Sequence, residues 1–305
     1  MKISIGEPVE IRIAPTTTRG DTLQIPAPPQ VDLWWADLDQ APSLDRLKVV
    51  LTATEQHRTD RYRTAQLQHR FAACRAQLRV ILSGYLGWDP AAIEFDYGPQ
   101  GKPHLQFKTQ QSENGEAVRD WLDSEHPDSE HPGYEHPNGD DNPALEFNVS
   151  HCQGRALYGI ARVPLGVDVE QVRSIAQPLT LARRFFAPEE VATLAALPPS
   201  QQHRQFLRHW VGKEALVKAW GSGIAQSLDR VVVAVNPSLR ILALPSGVGQ
   251  WSLLELQPPG GDASPASGPQ SWIAALATPA AVTQVCWRSA SWDFFAENQE
   301  PRYNS

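Results

Sequence analysis

Glu214 and Lys218 are the residues whose types and spacing first indicate chemistry. They lie in the run 210–223, which reads W-V-G-K-E-A-L-V-K-A-W-G-S-G. Prolines precede this run at 198 and 199 and glycines close it, which is typical of a helix. An i to i+4 spacing then places the two charges on one helix face, one turn apart. An isolated pair of this kind is usually a surface ion pair worth about 0.2–0.5 kcal/mol, so a second feature is needed to indicate a site.

A second pair of acids, Asp168 and Glu170, lies in the run 166–170 (G-V-D-V-E), after the apolar, β-prone segment 156–163. Side chains alternate along an extended chain, so we expect both carboxylates on one side and the two valines on the other. Like charges held close together repel, and a divalent cation between them relieves the repulsion. A few oxygen ligands suit Mg²⁺. Taken alone, D-x-E is more often an exposed strand end with two solvated acids.

Three sequence blocks together resemble the signature of the 4′-phosphopantetheinyl transferases, in the long, monomeric, surfactin-synthetase-activating (Sfp-type) class. The blocks are 147–151 (F-N-V-S-H), 166–170 and 210–223, and they occur in the order and at the spacing of that family. The similarity runs from about residue 54 to about residue 235. Three blocks in order are far more specific than any one of them.

The resemblance implies an α+β fold of two similar halves, each a small antiparallel sheet packed with a long helix. The halves would be related by a pseudo-twofold axis, with the active site in the cleft between them. We predict an irregular N-terminal arm at 1–30, an N-terminal subdomain at 31–163 and a C-terminal subdomain at 164–305.

Three segments carry more detailed structural predictions. The segment 55–86 is predicted to be one helix with an apolar stripe. The segment 110–143, which repeats E-H-P three times, is predicted to be a disordered insertion because it has too little apolar surface to order itself. Strand-like runs at 230–235, 251–256, 272–277 and 282–287 are expected to complete a second antiparallel sheet.

The resemblance implies one metal cofactor, Mg²⁺, held by Asp168, Glu170 and Glu214. Coenzyme A would be the donor substrate. Glu214 would also accept the proton of the attacking serine, directly or through a water. Lys218 would be the proton donor to the leaving group, and Lys213 beside it would offset charge on the diphosphate. A full metal ligand is not an efficient base, so the division between the two roles of Glu214 stays open.

The resemblance also assigns several side chains to coenzyme A. They are Arg58, Arg70, Lys102, Pro103, Ser150, His151, Lys213 and Lys218. The planar fork of Arg70 suits the 3′-phosphate and adenine end, with Arg58 as a second candidate. The loop with Lys102 and Pro103 would contact the adenine nucleotide, and Ser150 with His151 the phosphates. Ser150 and His151 are not expected to be nucleophile and base, since neighbours on an extended chain point to opposite faces.

The implied reaction transfers 4′-phosphopantetheine from coenzyme A to a serine of an apo acyl or peptidyl carrier protein. The products would be the holo carrier and 3′,5′-ADP, as for a Mg²⁺-dependent holo-acyl-carrier-protein synthase. One alternative is a Mg²⁺-dependent phosphohydrolase that opens the pyrophosphate with water. The other is a non-catalytic module that binds coenzyme A or a carrier, and the presence of every acid and the lysine of the motifs argues against it.

Composition narrows the class of protein further. A formal net charge of −7 argues against a nucleic-acid partner and requires a local basic patch for any polyanionic ligand. No apolar stretch approaches the roughly 20 residues that span a bilayer, so we expect no membrane partner. Three scattered cysteines indicate a reducing compartment and no zinc site. We therefore expect a cytoplasmic monomer.

Overall fold

The computed structural model describes residues 10–13, 23–28, 30–98, 100–106, 145–221, 228–259, 271–279 and 282–295. Its helices are α1 (Leu44–Lys48), α2 (Ala53–Asp60), α3 (Ala65–Leu86), α4 (Pro178–Phe185), α5 (Pro188–Ala195) and α6 (Pro199–Trp220). Its strands are β1 (Glu10–Ile13), β2 (Gln30–Asp37), β3 (Glu94–Tyr97), β4 (Pro103–Gln106), β5 (Glu146–Cys152), β6 (Arg155–Ala161), β7 (Gly166–Gln171), β8 (Val232–Ala234), β9 (Arg240–Ala243), β10 (Ser252–Leu256), β11 (Trp272–Thr278) and β12 (Gln284–Ser289). The predicted insertion at 110–143 lies outside the described residues.

The strands form two main sheets and two hairpins. The larger sheet has five strands in the order β1-β12-β2-β6-β5, and β12 runs parallel to both of its neighbours. The smaller sheet, β10-β11-β7, is antiparallel. The pairs β3–β4 and β8–β9 are separate antiparallel hairpins. With the helices, this arrangement confirms the predicted α+β class.

The long helices lie on the outer faces of the two sheets. On β2, Trp34 packs on the side of α3 while Leu33 packs in the core between the sheets. On β11, Ala275 packs on the side of α6 while Leu276 joins the same central core. The period of two along each strand therefore gives four layers: α3, the larger sheet, the smaller sheet and α6.

Local capping residues define the long helices. The predicted helix at 55–86 is in fact two, α2 and α3, because the Thr64 hydroxyl accepts a hydrogen bond from the Leu67 amide and starts a new helix there. Helix α3 is followed by the capping residue Gly87 (φ 69°) and α6 by Gly221 (φ 70°). Both glycines have the left-handed backbone conformation that ends a helix. Among the helices that the structure describes, none has both the length and the apolar character needed to cross a membrane.

The C-terminal strand β12 corrects the predicted sheet organisation. We expected residues 230–235 and 282–287 in the second antiparallel sheet. Instead, β8 forms a separate hairpin with β9, and β12 lies between β1 and β2 in the larger sheet. There Val285 and Trp287 pack into the central core, and Arg288 Nε donates to Asp32 Oδ2 over 2.8 Å. The arm at 1–30 was predicted to be irregular, but it contains strand β1. Residues 10–13 are extended because they pair with the other edge of β12. The N-terminal sheet is therefore mixed and not purely antiparallel.

Candidate active site

The candidate site lies where the edge strands of the two sheets, β5 and β7, meet. Side chains of β5 accept hydrogen bonds from the backbone of β7: Asn148 Oδ1 from the Val167 amide at 2.9 Å and Ser150 Oγ from the Val169 amide at 3.3 Å. Each strand is the edge of its own sheet, so these side chains provide the partners that a neighbouring strand would otherwise supply. The contacts fix β7 beside β5.

Strand β7 presents Asp168 and Glu170 to the side of α6. The valines before each acid pack into the central core, as the period of two predicted. Helix α6 lies directly on the strand at Gly166, where an added Cβ would collide with the backbone of Ala215 and come within 2.9 Å of the Ala219 Cα. Glycine therefore permits a close approach that brings the α6 charges over the two acids.

Lys218, Ser150 and Asp168 form one hydrogen-bonded group. The Lys218 ammonium lies 2.6 Å from Asp168 Oδ1 and donates to Ser150 Oγ over 3.0 Å. Ser150 Oγ donates to the same Asp168 oxygen over 2.7 Å. Strands β5 and β7 and helix α6 thus bring into contact three predicted site residues that are far apart in the sequence.

Two buried carboxylate oxygens beside this group have no hydrogen-bond partner among the described residues. They are Asp168 Oδ2 and Glu214 Oε1, on side chains of residues only 4% and 3% exposed. Burial raises the pKa of Glu214 to about 7, the negative charge of Asp168 adds to the shift, and Lys218 opposes it. Buried carboxylate oxygens are unfavourable without a partner, so this position suits a cation or a proton.

Glu170, the second acid of β7, contacts Cys152 and Arg173. The Cys152 thiol donates to Glu170 Oε2 at 3.2 Å, and Arg173 Nη2 lies 3.3 Å from the same oxygen. Burial raises the pKa of Glu170, the Cys152 hydrogen bond opposes that shift, and the charge of Asp168 adds to it. Glu170 is therefore held at one oxygen.

A cleft of about 440 Å³ opens onto Glu214 and Lys218. Lys102 and Pro103 also line this cleft. Lys102 Nζ donates to the Ala219 carbonyl at 3.0 Å, and burial lowers its pKa. Lys102 thus reaches the C-terminal end of α6. Two residues predicted for nucleotide binding therefore share a cavity with two predicted for catalysis.

The other residues predicted to bind coenzyme A differ in their exposure and in their contacts. His151 is exposed while Ser150 is buried, as expected for neighbours on a strand. Partial burial and the charge of Lys218 lower the pKa of His151. Arg70 makes two 2.6 Å hydrogen bonds to the carboxylate of Asp39. Arg58 stacks on the Phe71 ring, 5.1 Å from its centroid.

Lys213 is not brought to the cleft. Its ammonium is fully buried, 2.5 Å from Glu190 Oε2, and donates to the carbonyls of Leu228 and Val231 at 2.8 and 2.7 Å. Burial lowers the pKa of Lys213 and raises that of Glu190, and each charge opposes the shift of the other. The structure therefore does not bring Lys213 to the position expected for contact with the diphosphate, because its side chain on α6 faces the core.

Several site residues were missed by sequence reasoning. Asn148 and Cys152 flank Ser150 at a period of two on β5, so the strand pattern could have indicated that all three face β7. Arg173 follows the acidic motif by three residues without any local signal of its contact. Outside the site, the partner of Lys213 was missed as well, because Glu190 lies on another helix.

Sequence similarity to known proteins shows the family of this chain. The sequence profile described as the 4′-phosphopantetheinyl transferase superfamily matches residues 164–267, which carry the two acids of β7 and the charged pair of α6. The 4′-phosphopantetheinyl transferase HetI of Nostoc sp. (strain PCC 7120) is 34% identical over 245 residues, covering 77% of this chain and 88% of the relative.

Two Bacillus subtilis proteins are also similar. A 4′-phosphopantetheinyl transferase is 24% identical over 204 residues, covering 67% of this chain and 75% of its own length. The 4′-phosphopantetheinyl transferase ffp is 31% identical over 197 residues, with 65% and 72% covered. The chain therefore belongs to the 4′-phosphopantetheinyl transferase superfamily.

Proposed function

We propose that the protein transfers 4′-phosphopantetheine from coenzyme A to a serine of an apo acyl or peptidyl carrier protein, with release of 3′,5′-ADP. The observation that carries this proposal is the convergence of Asp168, Glu214 and Lys218 beside the cleft lined by Lys102. Phosphoryl-type transfer depends on positioning and charge neutralisation more than on covalent help. A cleft with acids, lysines and room for a ligand meets that need.

Mg²⁺ is the proposed cofactor, held by Asp168, Glu170 and Glu214. All three side chains supply hard oxygen ligands, and two of them present a buried oxygen without a partner. Within the described ranges, no three His, Cys, Asp or Glu side chains are already gathered as a metal-binding set. The ion pair between Lys218 and Asp168 is consistent with that finding. When bound, Mg²⁺ would neutralise charge on the pyrophosphate.

The side chains of the cleft supply the proton transfers in this proposal. The serine oxygen of the carrier forms a bond to the β-phosphorus, and the bond from that phosphorus to the bridging oxygen breaks. Glu214 takes the serine proton, directly or through a bound water, and the bound water is the route that is compatible with Glu214 as a metal ligand. Lys218 gives a proton to the oxygen of the departing 3′,5′-ADP, and exchange with solvent restores both groups.

The donor would lie along the cleft. Lys102 and Pro103 would contact its adenine nucleotide, and Ser150 and His151 its phosphates. Arg70, with Arg58 as a second candidate, would contact the 3′-phosphate. Since Arg70 is paired with an aspartate in this structure, the phosphate would replace that carboxylate.

We also propose the finer features of architecture that the resemblance implied. The two halves would be related by a pseudo-twofold axis, which is supported by two 22-residue helices, α3 and α6, each packed on a sheet. The protein would act as a cytoplasmic monomer.

The test is intact-protein mass spectrometry of an apo carrier protein incubated with coenzyme A, Mg²⁺ and this protein. We expect a gain of one phosphopantetheine mass, equal amounts of 3′,5′-ADP, and loss of both with EDTA. Asp168→Ala and Glu214→Ala should abolish transfer while the circular dichroism spectrum stays unchanged. Release of 3′,5′-ADP without a carrier would instead indicate a hydrolase, and retained transfer by either variant would contradict the assigned roles.

A further inference from the structure

The Lys218 ammonium forms an ion pair with one acid of the cluster, Asp168. It lies 2.6 Å from Asp168 Oδ1, and its charge also acts on Glu214 and Glu170, whose pKa values it holds down against burial. The side chain is 29% exposed, so it reaches the cluster from the cleft. Lys218 therefore serves as an internal counter-ion for three carboxylates that would otherwise repel one another.

The position of this ammonium conflicts with full use of Asp168 as a metal ligand. Asp168 Oδ1 already accepts hydrogen bonds from Lys218 and from Ser150, which leaves only Oδ2 without a partner. A cation that uses both oxygens, or that lies close to Oδ1, would also place its two charges beside the ammonium. Asp168 can therefore give both of its oxygens to a metal ion only when the Lys218 ammonium has moved away.

We propose that Lys218 is a built-in competitor of the divalent cation, and that it releases Asp168 when the pyrophosphate of the donor offers the ammonium another anionic partner. The inference rests on the proposed function, because it names the donor pyrophosphate as that partner. Metal binding and donor binding are then thermodynamically coupled: each strengthens the other through the same lysine. The free protein binds the metal weakly and is ready for it only with the donor in place.

The competition predicts a gain of binding when the lysine is removed. Lys218→Met should raise the affinity of the free protein for Mn²⁺ by about tenfold or more, since close charge pairs commonly couple by at least that much. Lys218→Arg keeps the charge and should leave the affinity low. Mn²⁺ is a suitable probe because it shares the preference of Mg²⁺ for oxygen ligands in octahedral geometry.

The experiment titrates Mn²⁺ into each protein without carrier, and measures free Mn²⁺ by electron paramagnetic resonance. Lys102→Met is the matched control. It removes one lysine from the same cleft, but its ammonium is bonded to the Ala219 carbonyl, so we expect a much smaller change. Asp168→Asn combined with Lys218→Met should cancel the gain. Thermal melting of each variant verifies that it is folded.

A second titration in the presence of coenzyme A measures the coupling. The ratio of Mn²⁺ affinities with and without coenzyme A should be smaller in Lys218→Met than in the unaltered protein. Unchanged or weaker Mn²⁺ binding by the free variant, an equal gain in Lys102→Met, or no binding by any form would overturn the inference. Carrier modification by the unaltered protein is a separate assay. Its absence, together with the Mn²⁺ gain in Lys218→Met, rejects the proposed function alone. Modification by the unaltered protein without the Mn²⁺ gain in Lys218→Met rejects the competition alone.

Discussion

Lys213 and Lys218 lie on the same helix but have different surroundings. Lys218 meets Asp168 at the edge of the cleft, whereas Lys213 is sealed against Glu190 and two backbone carbonyls. The Phe186 ring also lies 4.9 Å from the Lys213 ammonium. A buried ion pair is sensitive to the loss of one partner, because the other charge is then left without compensation. Substitution of Lys213 therefore tests stability, whereas substitution of Lys218 tests metal binding.

Lys213→Met should lower the free energy of unfolding by about 3–5 kcal/mol, because Glu190 would be left buried without its partner. Urea unfolding followed by fluorescence measures this change. The double variant Lys213→Met with Glu190→Gln should recover part of the loss, since no charge remains buried. Transfer activity per folded molecule should change little. Normal stability with abolished transfer would instead support a direct role for Lys213 in catalysis.

At the scale of elements, the contact between β7 and α6 determines whether the acids and Lys218 meet. Gly166→Ala would drive a methyl group into the α6 backbone, which cannot move without shifting the helix. We expect a loss of several kcal/mol in stability, of the order seen for overpacked cores or more. Urea unfolding measures the change, and transfer activity should fall with it.

Gly212→Ala, which lies on α6 itself, is the matched control for Gly166→Ala on β7. Its new methyl group would come within 2.9 Å of Leu239 Cδ1, the end of a flexible side chain that can move aside. Alanine also favours the helix by about 1 kcal/mol, which offsets the local crowding. Stability close to that of the unaltered protein is expected. Equal damage from both substitutions would show that the β7–α6 approach is not the sensitive contact.

The elements differ in how far sequence could predict them. The bounds of α6 follow from Pro199 and Gly221, and the two faces of β7 follow from its alternation, because both patterns are local. The partner strands of β12 could not be predicted, since pairing across more than 200 residues leaves no local pattern. The partner of Lys213 is of the same kind: helical spacing gives its face, but only the folded chain supplies Glu190.

At the scale of the whole molecule, the two ends of the described chain are joined in one sheet. Strand β12 pairs with β1 on one side and β2 on the other, and Asp32 also accepts hydrogen bonds from Arg288 and the Tyr85 hydroxyl. The sheet, α3 and the C-terminal strand are thereby tied at one buried carboxylate. Residues assigned by sequence to separate subdomains thus share a core.

A chain that ends after residue 281 should lose the cooperative unfolding transition of the full chain. It lacks β12, and with it Val285 (0% exposed) and Trp287 (3% exposed) from the central core. Near-ultraviolet circular dichroism and urea unfolding measure the loss. A chain that ends after residue 295 keeps β12 and the Asp293–Phe295 turn, and should retain a cooperative unfolding transition. Equal behaviour of both truncations would contradict the structural role of β12.

The place of β12 between β1 and β2 also has a consequence during translation. Synthesis at about 5–20 residues per second means that the ribosome supplies β12 on the order of tens of seconds after β1. Until then β2 has an unpaired edge, and such edges pair readily with other extended chains. The edge of β2 that pairs with β12 in the folded protein therefore stays accessible to other extended chains until β12 emerges.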